Sequence, residues 1–188
     1  MKIYIRSDKY DEVWDYISEI NQEFTSENTS INSKKTPAVF HMSGVSFKPG
    51  TINLDYGGGK FDNVAEYLST MDVINLVLDP FNRSKEHNKE VIETLRAAGG
   101  ADTATCSNVL NVIKERENRM WVLRNMQKLV RHGGIIYITV YEGDGKGDEG
   151  ETSSGYQLRR KTKDYMDDIF EVFPNAKIKG KLITIVNN

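Results

Sequence analysis

The 188 residues hold one cysteine, Cys106, and three histidines. A single cysteine excludes an intramolecular disulfide and a cysteine zinc cage. A reducing, cytoplasmic location is the expectation that follows. No apolar run is long enough to cross a membrane. The opening Met1-Lys2-Ile3-Tyr4-Ile5-Arg6 alternates instead of building the apolar stretch of a signal peptide. An excess of one charge is also lacking: 25 basic residues against 27 acidic ones leave −2. No global field therefore draws the chain to nucleic acid, and only a local basic patch would. His41, His87 and His132 are scattered without metal-ligand spacing, so no metal site is expected.

What is present suits one compact soluble domain that buries its core without staples. Tyr10, Val13, Trp14, Ile17, Ile20 and Phe24 recur at three- and four-residue spacings and predict an amphipathic helix over 9–24. The polar stretch 25–36 reads as a loop. Residues 1–45 are accordingly an N-terminal helical arm and loop, opening with a short strand over 2–6, and residues 46–188 are the main domain. Strands are expected at 51–56, 73–78, 103–107 and 135–141. Helices are expected at 61–70, 85–98, 115–131 and 160–172, the last with Tyr165, Ile169 and Phe170 inward. The glycine-rich stretch 143–155 reads as a loop, either a lid or a disordered connector, and 177–187 as a bent strand or a closing pair. Alternating strands and helices give an α/β, Rossmann-like class. Its sheet is mostly parallel with helices on both faces, in three α/β/α layers, with an antiparallel C-terminal edge strand.

The first strand of the main domain runs into Gly57-Gly58-Gly59, and the second ends at Asp79. In open α/β sheets ligands sit beyond the carboxyl ends of the strands, near the switch point. Glycines there let backbone pass close under a ligand, and a carboxylate at the next strand end can accept from a ribose diol. Read singly, the glycines are a tight turn and Asp79 a helix cap; at consecutive strand ends they predict an adenosine-type ligand. The third glycine of the dinucleotide fingerprint is missing from Gly57-Gly58-Gly59-Lys60-Phe61-Asp62. Asp55, two residues before the turn, suits an ammonium better than a pyrophosphate, so an adenosyl amino acid is favoured over a dinucleotide.

At these residues the chain resembles class I S-adenosylmethionine-dependent methyltransferases. Asp55-Tyr56-Gly57-Gly58-Gly59 resembles their first motif, and Asp79 matches their ribose-binding acid. Residues 102–113 resemble their fourth-strand segment and residues 129–140 their helix–Gly-Gly–strand segment. The resemblance spans residues 50–188. Asp79-Pro80-Phe81 and Asn108-Val109-Leu110-Asn111-Val112-Ile113 narrow it to a bacterial and phage subgroup associated with DNA-modification systems. The resemblance implies S-adenosylmethionine as cofactor, held by Asp55, Tyr56, Gly57, Gly58 and Gly59 with Asp79, Pro80, Ser107 and Asn108. One departure is clear: 79–103 is too short for helix–strand–helix, so the strand that usually supplies adenine contacts is shortened or missing.

Methyl transfer is an in-line displacement that needs positioning and desolvation more than a catalytic triad. Asn108, just past a strand end, and Tyr141, at the mouth of the 143–155 loop, are the candidate catalytic residues. As alternatives, Asn108 caps a turn and Cys106 is a small buried hydrophobe. Arg159, Arg160 and Lys161 form the one compact basic run, which suits either a phosphate-bearing acceptor such as nucleic acid or a solvated face. The leading expectation is a methyltransferase for a small-molecule or nucleic-acid acceptor. A non-catalytic S-adenosylmethionine or S-adenosylhomocysteine sensor or partner subunit comes second, and a nicotinamide-dependent oxidoreductase third. Neither the acceptor nor the oligomeric state is written in the sequence.

Overall fold

The computed structural model describes residues 7–28 and 34–188. The strand expected over 2–6 lies outside the described residues. The helices are α1 (Lys9–Ser18), α2 (Asn63–Ser69), α3 (Lys85–Ala98), α4 (Arg116–Leu129) and α5 (Met166–Val172). The strands are β1 (Thr51–Tyr56), β2 (Val73–Leu78), β3 (Ala101–Ser107), β4 (Val130–Thr139), β5 (Glu149–Thr152), β6 (Gly155–Leu158), β7 (Lys177–Lys179) and β8 (Leu182–Val186). Six of them form one sheet in the order β2-β1-β3-β4-β8-β7. The first four run parallel, and β8 and β7 close the edge antiparallel. The class is the expected Rossmann-like α/β one, with one antiparallel strand pair at the edge.

Strand order reverses between β1 and β3, because β2 lies on one side of β1 and β3 on the other. That makes the carboxyl ends of β1 and β3 the switch point. β2 is the sheet edge, and α3 leads from it straight to β3 on the far side of β1. The chain between Asp79 and Ala101 is just long enough for that one helix.

The two faces of the sheet differ. Leu54, Tyr56, Ala104, Cys106, Ile136, Ile138, Ile183 and Ile185 share one apolar cluster with residues of α1, α3, α4 and α5. Burying each Leu or Ile contributes about 1.5–3 kcal/mol. On the other face Val73, Tyr137 and Leu182 pack with Val64 and Leu68 of α2 and with Val39 and Phe40 of a 3-10 turn, Ala38–His41. This second face carries a polar strip beneath the glycine turn, built by Asn53, Asp55, Asn75, Thr103 and Thr105.

Several boundaries move from their expected places. α1 stops at Ser18, its start fixed by a reciprocal capping box between Asp8 and Asp11. Its Tyr10, Val13 and Ile17 belong to the main core. The residues after it do not continue the helix: Ile20, Gln22, Phe24 and Ser26 all line one cleft, and Ser26–Asn28 form a short 3-10 turn. The stretch 143–155 contains structure, since β5 and β6 pair there as an antiparallel hairpin. Leu158 and Tyr156 of that hairpin are buried, and Tyr156 stacks on Phe24 with ring centroids 5.5 Å apart. The helix expected over 160–172 begins as a 3-10 turn, Thr162–Tyr165, before α5. Tyr165 and Ile169 point inward as expected, but Phe170 is 44% exposed because the next residue turns about 100° away.

Candidate functional site

A cleft opens at the carboxyl ends of β1, β2 and β3. Its floor is Tyr56, Gly57 and Gly59; one wall is Asp79, Pro80, Phe81 and Asn82; the other is Ser107, Asn108, Val109 and Val112. Ile113 and Val122 close the inner end, and the segment 20–26 passes over the top. This overlying strap is pinned to the start of α4, where the Glu23 N–H donates to Glu115 Oε1 at 2.8 Å and Asn118 Nδ2 donates to the Asn21 carbonyl at 2.9 Å.

The glycines of the turn answer to close neighbours within the protein. Gly57 has φ +74°, and a Cβ there would meet Val109 Cγ2 at 2.5 Å. At Gly58 a Cβ would meet Asp55 Oδ2 at 2.6 Å. Asp55 and Gly58 do not line the cleft: the buried Asp55 carboxylate lies behind the turn, against Gly58. It accepts from Asn75 Nδ2 at 3.3 Å and from Thr105 Oγ1 at 3.2 Å. Asn53 extends this strip, donating to Asn75 Oδ1 at 2.8 Å and accepting from Thr103 Oγ1 at 2.8 Å. Burial pushes the Asp55 carboxyl up to about 6, against the pull of its two hydrogen bonds.

Asp79 is the organising acid of the cleft. Its Oδ2 accepts from the Gly59 N–H at 2.9 Å, and its Oδ1 accepts from the N–H groups of Phe81 and Asn82 at 3.0 and 2.9 Å. Buried Asn88 holds the Asp79 backbone on both sides, accepting from its N–H and donating to its carbonyl. The carboxylate thus fastens the ends of β1 and β2 together while its outer edge faces the cleft.

Two residues that sequence reasoning passed over shape this site. Arg83 donates from Nε to the Gly59 carbonyl at 2.7 Å and from Nη2 to the Phe61 carbonyl at 2.9 Å, and pairs with Asp62 at 2.8 Å. It clamps the chain leaving the glycine turn. No local pattern announces a contact between residues 24 positions apart. The guanidinium fork matters more than the Asp62 pair, whose carboxylate is 69% exposed. Arg83→Met is expected to lower stability by about 1–3 kcal/mol through two abandoned carbonyls, read from urea denaturation midpoints. Asn125, buried on α4, donates to the Tyr56 hydroxyl at 3.0 Å and sets that ring in the cleft floor.

Asn108 has φ +59°, a left-handed conformation that Asn adopts more readily than most residues. Its N–H donates to the Thr139 carbonyl at 2.9 Å. Its side-chain amide has no hydrogen-bond partner among the described residues. Ser107 accepts from Thr139 Oγ1 at 3.2 Å. Tyr141 is 58% exposed and does not line the cleft; Asn111 Oδ1 accepts from its N–H at 3.4 Å. Neither the three histidines nor buried Cys106 lines it, and burial pushes the Cys106 thiol far up. In the basic run, Arg160 pairs with Glu149 at 2.8 Å and Arg159 with Asp148 at 3.5 Å, both acids of the neighbouring hairpin region.

No protein-family model and no curated protein matches the chain. Solved structures match it by shape. The chain is similar to Burkholderia thailandensis 1,6-didemethyltoxoflavin-N1-methyltransferase, seen with bound 1,6-didemethyltoxoflavin and S-adenosylhomocysteine. That match has TM-score 0.53 and 14% identity over 75% of this chain and 72% of that one. It is also similar to the pyocyanin biosynthetic protein PhzM, with TM-score 0.54 and 12% identity over 80% of this chain and 54% of that one. A third likeness is to PigF with SAH, with TM-score 0.51 and 17% identity over 80% and 52% of the two chains. At such identities the likeness is one of fold: the chain has the Rossmann-like fold of that methyltransferase, and it spans about half the length of the other two.

The residues present fit an adenosyl amino acid in this cleft. Phe81, Val109 and Val112 offer apolar surface to a base, and Asp79 offers oxygens to a diol. Among the described residues no helix is long and apolar enough to cross a membrane.

Proposed function

We propose that this chain is an S-adenosylmethionine-dependent methyltransferase acting on a small-molecule acceptor. One observation carries the reading: a single cleft at the switch point joins the glycine turn, Asp79 and the unpartnered amide of Asn108. A methyltransferase of the same fold holds S-adenosylhomocysteine, which supports the cofactor. S-adenosylmethionine would supply a methyl on a positively charged sulfur, and the acceptor's lone pair would take that methyl as the sulfur becomes a neutral thioether. The protein's share is to align and to keep water out. Asp79 would receive the ribose diol, and Phe81, Val109 and Val112 would exclude water from the base. Asn108 would orient the acceptor through its free amide, held there by a backbone conformation with little freedom.

Calorimetric titration with S-adenosylmethionine and S-adenosylhomocysteine tests the cofactor. Binding near micromolar strength, about −8 kcal/mol, is expected, and no binding of either would end this reading. Incorporation of labelled methyl into pools of small metabolites and of nucleic acid then tests the acceptor. The resemblance to DNA-modification proteins favours the second pool, but Arg159 and Arg160 would have to leave their hairpin carboxylates to meet a phosphate backbone. Asn108→Gly keeps the left-handed backbone and removes the amide. It is expected to lower methyl transfer at least about tenfold while S-adenosylhomocysteine affinity stays within about threefold.

A second reading also has an observation behind it. Asp79 and Tyr56 are the titratable side chains of the cleft, and both are engaged in the structure. A site without a free base suits an acceptor that needs no deprotonation, or a sensor that binds the cofactor without turnover. Tight binding with no labelled product from either pool would favour the sensor.

A further inference from the structure

The outer edge of Asp79 is already occupied by a side chain of this protein. Asn82 Nδ2 lies 3.2 Å from Oδ1 and 3.2 Å from Oδ2 of Asp79, and 2.9 Å from Ser26 Oγ on the strap. A single NH₂ group with two hydrogens therefore faces three acceptors. Its bonds to the carboxylate are long and shared, at the limit of good geometry. The backbone donors of Gly59, Phe81 and Asn82 have taken the inner positions at 2.9–3.0 Å. Only the edge held by Asn82 remains for a ligand.

We infer that Asn82 is a built-in competitor for the diol site of Asp79, and that a bound ribose displaces its amide towards Ser26. The inference rests on the proposed cofactor. A vicinal diol would donate two hydroxyls to the two carboxylate oxygens, and such O–H···O⁻ bonds are short and strong. The bifurcated amide makes weaker ones, so the diol wins the carboxylate. The amide keeps its third acceptor, because the Ser26 bond is the shortest of the three. A ligand without the diol gains nothing that would move Asn82. The residue thus lowers affinity for ligands that must displace it to reach the carboxylate and leaves those without the diol unpenalised. It acts through Asp79, as a positioning residue.

The test uses the full chain and two variants, Asn82→Ala and Asn82→Ser, both of which keep the backbone N–H that bonds Asp79. S-adenosylhomocysteine is titrated by calorimetry. Adenosine and 2′,3′-dideoxyadenosine are compared by saturation-transfer NMR, and circular dichroism checks each fold. Both variants are expected to bind S-adenosylhomocysteine about threefold to tenfold more tightly, the range of one ordinary net hydrogen bond. The same gain is expected for adenosine and no gain for dideoxyadenosine. A residue that merely shapes the loop would show weaker binding when removed. Unchanged or weaker binding by folded variants overturns the inference, and so does an equal gain for dideoxyadenosine. Absence of binding by the parent protein and both variants overturns the cofactor reading, and this inference with it.

Discussion

Asp79→Asn is expected to weaken S-adenosylhomocysteine binding about tenfold to a hundredfold and to lower stability by about 1–3 kcal/mol. The first effect follows from charge. A carboxylate accepts a diol through two charged oxygens, whereas a carboxamide offers one uncharged oxygen, and the second hydroxyl must turn to accept from its NH₂. A charge-assisted hydrogen bond of this kind contributes about 1.5–3 kcal/mol, or about tenfold for each 1.4 kcal/mol. The second effect follows from the inner donors. With Oδ1 kept for the N–H groups of Phe81 and Asn82, the new NH₂ faces the Gly59 N–H, donor against donor. Flipping the amide only moves the conflict to the other pair. Calorimetry measures the binding, and urea denaturation of the ligand-free protein measures the stability. Full affinity in the variant would remove Asp79 from the ligand site and leave it as a clasp between β1 and β2.

Asp55→Asn is expected to stabilise the protein at pH 8 and to lose that advantage at pH 5. In the parent protein, burial under Gly58 raises the Asp55 carboxyl to about 6 from an ordinary 3.8. The native state therefore binds more protons at this group than the unfolded state does between about pH 4 and pH 6. Its contribution to stability is largest while the carboxyl is protonated. It falls as pH rises through that window and stays low above it. A difference of about two pKa units corresponds to about 3 kcal/mol. The amide avoids that burial cost, but it loses one acceptor to Asn75, whose own oxygen is committed to Asn53. A net gain of about 1–2 kcal/mol at pH 8 remains. Comparing variant with parent in urea at pH 5 and pH 8 cancels the other titrating groups. An advantage that does not change with pH would show that Asp55 titrates normally.

Much of the fold could be read from the sequence because its signals are local. The apolar run of β4 lies in a stretch buried on both faces, Ile136–Thr139, where alternation disappears. α3 ends at Ala98, and Gly99 follows with φ +77°, a stop written in one residue. The shortness of 79–103 indicated a shortened or missing strand, and among the described residues no strand flanks β2 on its outer side. The misplaced elements share a different cause. Ile20 and Phe24 fit a helical period, yet the helix ends at Ser18 and both residues line the cleft instead. The hairpin of β5 and β6 has little apolar pattern, since it is fastened by Phe24 on Tyr156 from a distant segment.

The sequence by itself determined the class of fold and the rough place of a ligand. Hydrophobic period, helix caps, and glycines followed by an acid at consecutive strand ends are each set by neighbours along the chain. Tertiary structure decided which carboxylate meets the cleft. Asp55 and Asp79 both stand near a strand end, but side chains alternate across a strand, and Gly58 covers Asp55 while Asp79 remains at the wall. Tertiary structure also decided that Arg83 grips the glycine turn, that the 20–26 strap roofs the site, and that Asn82 occupies the free edge of Asp79. The Arg83 and strap contacts join residues 22 to 97 positions apart, and Asn82, three residues from Asp79, is bonded to Ser26, 56 positions away. Local propensity does not encode such distances; the packing of β1, β2 and β3 does.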